Sequence, residues 1–252
     1  MKSLLLDYAA LLVPEEMCGL VLHVKGEAQF LPVKNIAREG DTHMVLAPEG
    51  WMKAQTLGEV VAIVHSHPDG TKVLSAVDRQ AQLQTQLPWW IVTNADLYQY
   101  PCVPPLLGRN FQYGEVDCYT LMKDAYALSG HQLPEIAYEE DWWKKGQNLY
   151  IDHLPKHGFY RVGSPKPGDV LMIQLASDIA NHCAIYLGDN RMLHHCPNRL
   201  SCRQSFGGYW RHHLHSIWRY QSWQPCDFMG ICNDLDASSN SRSPPPVKPS
   251  EL

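Results

Sequence analysis

The chain has 252 residues, enough for one large or two ordinary domains, and its 45% hydrophobic content can fill sizeable cores. A net charge of −5 without a long basic run argues against non-specific nucleic-acid binding, which needs lysine and arginine to neutralise several phosphates. No stretch approaches about 18 consecutive apolar residues, so no transmembrane span is expected.

The first segment, Met1-Lys2-Ser3-Leu4-Leu5-Leu6-Asp7-Tyr8, reads as an amphipathic helix. Asp7 and the following Pro14-Glu15-Glu16 deny it the long apolar region of a signal peptide, so none is expected. Strand-like runs follow at 20–24 and 28–33, and the apolar run Val60-Val61-Ala62-Ile63-Val64 leads into His65-Ser66-His67-Pro68. Two histidines two residues apart on a strand project from one face, so one metal can take both. Ten residues on, Ala76-Val77-Asp78-Arg79-Gln80-Ala81-Gln82 reads as the first turns of a helix over 76–86, and Asp78 can offer an oxygen to the same ion. Three protein ligands leave a fourth position open. A further strand is expected at 88–93.

Proline-rich Tyr100-Pro101-Cys102-Val103-Pro104-Pro105 suits neither a helix interior nor a central strand, so the chain divides there. The pattern restarts with an apolar helix near Asp117, in which Asp117 is the N-cap and Cys118 meets the positive end of the helix dipole. That position favours thiolate, and a partly exposed sulfur is expected there. A tryptophan-rich helical segment around Trp142-Trp143 follows, then strand-like runs at 169–175, 183–187 and 216–220. His194 lies twelve residues after His182 across a turn at Gly188-Asp189-Asn190, so the two histidines are expected side by side on adjacent strands. The other histidines, His195, His212, His213 and His215, are irregularly spaced and read as solvated or core positions. Eight cysteines form no Cys-x-x-Cys pair, which argues for reduced thiols rather than a disulfide framework. From about Asp236 the Ser- and Pro-rich sequence cannot bury a core and should be a flexible tail.

His65-x-His67-Pro68 with Ser75-x-x-Asp78 resembles the JAMM (Mov34/MPN) metalloprotease signature, and Glu16-x-Cys18-Gly19 is similar to that family's upstream glutamate motif. The resemblance implies Zn2+ held by His65, His67 and Asp78, with Glu16 as general base and Ser75 helping to hold the oxyanion. Residues from Gly108 to Tyr220 resemble the NlpC-type cell-wall peptidases through Asp117-Cys118, Pro167-Gly168-Asp169, the strand His182 to Gly188, and His194. That likeness implies a papain-like thiol peptidase cutting peptidoglycan stem peptides between D-glutamyl and diaminopimelate residues. Cys118 would be its nucleophile, His182 its base and His194 the group orienting His182. The usual Asp-Cys-Ser-Gly is here Asp117-Cys118-Tyr119-Thr120, and the upstream aromatic-hydroxyl position falls on Phe111, with Tyr113 nearby.

Taken singly, each of these residues has an ordinary structural reading: strand histidines at 65, 67 and 182, and a small buried hydrophobe at 118. The ordered sets carry the assignment. The expected architecture is α+β in two domains: a JAMM-type α/β sandwich around a sheet over 1–100, a linker at 101–107, an NlpC-type domain over 108–235, and a tail at 236–252. This domain pair is similar to the K-type tail-tip assembly family of lambdoid phages. The likeness implies murein and other tail-tip proteins as partners. It implies synthesis in the host cytoplasm and action from the virion tail tip on the periplasmic wall. Three readings compete: a non-catalytic tail-tip scaffold, a bacterial wall-remodelling hydrolase and, from the first domain alone, a deubiquitinase-like isopeptidase.

Overall fold

A computed structural model describes residues 1–38, 44–93 and 96–240. The chain separates into two units, the first Met1–Val103 and the second beginning at Pro104.

In the first unit, α1 (Lys2–Leu12) precedes a hairpin of β1 (Cys18–Val24) and β2 (Glu27–Val33). Next come α2 (Pro48–Leu57), β3 (Glu59–Ser66), α3 (Ala76–Thr85), β4 (Trp89–Val92) and β5 (Leu97–Tyr100). The sheet order is β2-β1-β3-β4-β5, parallel only between β3 and β4, which α3 connects. Alternate strand residues go to opposite faces, and both faces are covered. Leu20, Leu22, Ile63 and Ile91 pack with Ala54 of α2 and Leu74, whereas Val21, Ala62, Val64 and Val92 pack with Leu5 and Ala9 of α1. This is the expected α/β sandwich. Gly19 is required by close approach, since a Cβ there would lie 2.4 Å from the Phe30 ring and 2.5 Å from the Leu31 carbonyl oxygen.

The second unit begins its regular structure with α4 (Cys118–Leu128), a 3-10 turn at Trp142–Lys145 and α5 (Leu149–His153). It continues through β6 (Phe159–Val162), β7 (Val170–Ile173), β8 (His182–Gly188), β9 (Arg191–His194), β10 (Cys202–Ser205), α6 (Tyr209–His212), β11 (Leu214–Tyr220) and α7 (Phe228–Asn240). The antiparallel sheet has the order β10-β9-β8-β7-β11-β6, with Leu171, Ile173, Ala184, Met192, Phe206 and Ile217 in its core. The turn into β7 is closed by Asp169, which accepts two hydrogen bonds from Arg219, Nε at 2.8 Å and Nη2 at 2.7 Å. Gly168 there has φ of 93°, and a Cβ would meet the Trp223 ring at 2.1 Å.

The proline-rich stretch is held rather than loose. Buried Arg79 donates to the Val103 carbonyl at 2.6 Å, Arg109 donates to the carbonyls of Pro104 and Pro105, and Leu106 is fully buried. The expectation of a flexible tail from Asp236 is corrected in its first residues. Helix α7 runs to Asn240, with Ile231 and Leu235, one turn apart, buried on one face and Ala237 buried as well. Residues 241–252 lie outside the described residues.

Candidate active sites

The first site forms where β3 ends and α3 begins. His65 Nε2 and His67 Nε2 are 2.9 Å apart, and Asp78 Oδ2 lies 3.5 Å and 3.4 Å from them. Donor atoms bonded to one tetrahedral zinc at about 2.0–2.1 Å would stand about 3.3 Å apart, so the three atoms already have the spacing of a ligand set. All three residues are buried. Asp78 reaches this point through a capping box, in which Ser75 Oγ accepts the Asp78 amide at 3.1 Å and Asp78 Oδ2 accepts the Ser75 amide at 2.9 Å. The cap that starts α3 therefore also aims the carboxylate. His67 Nδ1 lies 2.7 Å from the Thr71 carbonyl oxygen, an acceptor, so its proton sits on Nδ1 and Nε2 keeps the lone pair a ligand needs.

The groups around the histidines favour positive charge at this point. Burial opposes charge on Asp78, yet the two histidines and Ser75 outweigh it and hold the carboxyl well below its ordinary range. Burial likewise opposes charge on His67, but Asp78, the Thr71 carbonyl and Glu16 outweigh it and raise its pKa. Glu16 is buried, and the pairing of Cys18 with His65 carries it opposite His67. Two bonds fix that register, Met17 amide to Ser66 Oγ and Ser66 amide to the Met17 carbonyl, each 2.8 Å. A cleft of about 420 Å³ lined by Ala9, Ala10, His67, Pro68 and Thr93 opens beside the histidine. The donor set is thus compatible with a metal ion.

The second site gathers at the start of α4. Asp117 Oδ1 accepts the Tyr119 and Thr120 amides at 3.0 and 3.1 Å, and Oδ2 accepts the Gly114 amide at 2.9 Å as well as the Tyr138 hydroxyl. This cap sets Cys118 on the first helical turn, against His182 of β8. His182 Nε2 is 3.2 Å from His194 Nδ1 on neighbouring β9, and His194 Nε2 is 3.0 Å from Gln204 Oε1 on β10. The Cys183 thiol, which burial keeps protonated, and the His182 imidazole lower the pKa of Cys118 well below that of a free thiol, against its burial. Burial also opposes charge on His182, but the thiols of Cys118 and Cys196 lift its pKa to about 10. These directions favour a thiolate on Cys118 beside an imidazolium on His182. A cleft of about 300 Å³ reaches Cys118 and His182 between Tyr113, Trp143 and Pro197.

Several details depart from the sequence reading. Cys118 is 7% exposed rather than partly open. Phe111, at the position expected to hold a hydroxyl, packs edge-on against His195 at 5.1 Å, while Tyr150, 32 residues beyond Cys118, brings its hydroxyl 3.6 Å from Cys118 Sγ. Tyr150, Tyr138, Gln204 and Cys196 were not singled out in the sequence. Among the described residues no helix is long and apolar enough to cross a membrane.

Comparison with known proteins agrees with this division. Residues 1–103 match the model for prokaryotic homologs of the JAB domain, and residues 108–219 match the NlpC/P60 family. Tail tip assembly protein K of Escherichia phage lambda is 47% identical over 196 residues, covering 77% of this chain and 98% of the relative. Its namesake in Escherichia phage N15 is 36% identical over 225 residues, covering 86% of this chain and 93% of that one. A solved NlpC/P60-family structure from Bacillus cereus is 11% identical, covers 85% of this chain and 66% of its own, and superposes with a TM-score of 0.37, too low to carry an argument. With two relatives this alike over almost their whole length, and both domain models matched in order, the chain belongs to the tail tip assembly protein K family.

Proposed function

We propose that the second unit is a thiol peptidase acting on the stem peptides of peptidoglycan, and that the first unit is a zinc-dependent peptidase of the same tail-tip protein. The observation that carries the first half is geometric: the Asp117 cap sets Cys118 at the start of α4 in the same cleft as His182, whose Nε2 is 3.2 Å from His194 Nδ1. In this reading Cys118 Sγ attacks the peptide carbonyl carbon, the C–N bond breaks, and His182 delivers its proton to the leaving amine. Water then attacks the thioester, His182 taking its proton, and the acid product leaves as Cys118 is restored. His194 orients His182, and Gln204 orients His194. With the Tyr119 and Thr120 amides taken by Asp117, the Cys118 amide and the Tyr150 hydroxyl are the donors proposed for the developing oxyanion.

In the first unit, zinc held by His65, His67 and Asp78 would supply Lewis acidity at neutral pH. Glu16, buried opposite His67, serves as the general base, and Ser75 keeps its hydroxyl proton for an oxyanion because its oxygen is the cap acceptor. The relatives are named for tail tip assembly, which supports a role in building a phage tail tip. In this reading the murein peptidase opens the host wall from the periplasmic side. Digestion of purified murein by the full chain tests the assignment. His182→Ala should lose stem-peptide cleavage while Glu16→Ala retains it. Loss in Glu16→Ala with retention in His182→Ala would assign the murein activity to the wrong unit.

A further inference from the structure

The imidazole pair of the second unit has a third donor that peptide cleavage leaves unused. Cys196, just past the end of β9, turns back so that its Sγ is 3.4 Å from His194 Nδ1 and 3.7 Å from His182 Nε2, themselves 3.2 Å apart. With zinc bonds of about 2.0–2.1 Å to nitrogen and about 2.3 Å to sulfur, a tetrahedron sets nitrogens about 3.3 Å apart and nitrogen from sulfur about 3.6 Å. All three separations agree with those edges. The tautomer agrees too. Gln204 Oε1 is an acceptor, so His194 Nε2 carries the proton at this 3.0 Å contact and Nδ1 keeps a lone pair, the outer bond that holds a histidine ligand in place. Both histidines are buried and Cys196 is half-buried, at the edge of a cleft of about 410 Å³ that also exposes Gln204 and Trp210, which gives an ion access from solvent.

We propose that His182, His194 and Cys196 form a second metal site, for a thiophilic divalent cation such as zinc, and that its occupation switches off the thiol peptidase. The switch rests on the reading of Cys118 and His182 as nucleophile and base; the metal site does not. On binding, the Nε2 proton of the His182 imidazolium and any proton on Cys196 Sγ pass to solvent, and the sulfur, His194 Nδ1 and His182 Nε2 each give a lone pair. A neutral imidazole that gives Nε2 to a metal keeps its single proton on Nδ1. It can neither carry the imidazolium charge that keeps Cys118 a thiolate nor take a proton from the attacking water. The same ion displaces the contact by which His194 orients His182. Protons and metal thus compete for one set of three atoms.

Cobalt(II) is the probe, added to the reduced, metal-free full chain. The first site offers only nitrogen and oxygen, so a thiolate-to-cobalt charge-transfer band in the near ultraviolet reports the second site alone. Wild type and Cys118→Ser should show the band, and Cys196→Ser should lose it and take up one cobalt fewer than wild type. Absence of the band in wild type, its persistence in Cys196→Ser, or its loss in Cys118→Ser would each overturn the site. For the switch, the ratio of murein cleavage rates without and with zinc should reach roughly a hundredfold or more in wild type, the usual worth of a general base, and stay near unity in Cys196→Ser. A band with no zinc effect on wild-type cleavage would refute the switch and leave the site. If no protein cleaves murein even in chelator, the peptidase reading and the switch fall together, while the band still decides the metal site.

Discussion

Asp117 fixes where Cys118 stands, and Asp117→Ala tests that geometry. The substitution removes the acceptor of the Tyr119 and Thr120 amides at 3.0 and 3.1 Å, of the Gly114 amide at 2.9 Å, and of the Tyr138 hydroxyl. Loss of an N-cap costs about 1 kcal/mol, up to about 2. Leaving the half-buried Tyr138 hydroxyl without its partner adds about 1–2 kcal/mol, so the second unit should lose roughly 2–4 kcal/mol in all. Asp117→Asn keeps an oxygen for the two cap amides and should lose about half as much or less. With a urea slope of about 2 kcal/mol/M, the middle of the usual range, the alanine variant should unfold roughly 1–2 M earlier. The assay is urea unfolding followed by tryptophan fluorescence, to which buried Trp142, packed 5.0 Å from Tyr150, contributes from this region. Equal midpoints for Asp117→Ala and Asp117→Asn would refute the claim that the cap positions the nucleophile.

His65→Ala, His67→Ala and Asp78→Ala should each lower zinc content by one equivalent relative to wild type by elemental analysis, while Glu16→Ala should not; equal loss in all four would contradict the division into ligands and base. Against burial, His182 and His194 lower the pKa of half-buried Cys196 to about 6, so in chelator its alkylation rate should rise through that pH and level off above it. Cys18, pushed up to about 12 by burial and by Glu16, should stay unlabelled in the native protein, and peptide mass spectrometry showing Cys18 labelled as fast as Cys196 would contradict its burial. Gly19→Ala should cost the first unit about 1–3 kcal/mol in a thermal melt, because the added Cβ meets backbone that has no room to yield; an unchanged melt would overturn the close approach.

Residues that meet through local spacing were legible in the sequence. His65 and His67 share a strand face, Asp78 follows its cap Ser75 by three residues, and Cys118 follows Asp117 at a helix start, so each pairing is set by helix or strand geometry alone. His182 and His194 were also within reach, since one hairpin turn joins their strands. Gln204, Cys196 and Tyr150 were not. Gln204 reaches His194 only through the β9–β10 pairing, Cys196 only because the chain folds back after β9, and Tyr150 only by packing of α5 against α4, and none of these leaves a periodic trace. The end of α7 was misjudged for a different reason. Serine-rich composition suggested a tail at Asp236, while the four-residue spacing of Ile231 and Leu235 carried the helix signal.

The central claim is tested most directly by mass spectrometry of murein fragments released by wild type and by Cys118→Ser, in chelator and reductant. Wild type should release stem peptides cut between D-glutamyl and diaminopimelate residues. Cys118→Ser should keep its fold and release none, because a serine hydroxyl beside the same imidazole is far less ionised than the thiol. The same fragments released by Cys118→Ser at the wild-type rate would contradict the account.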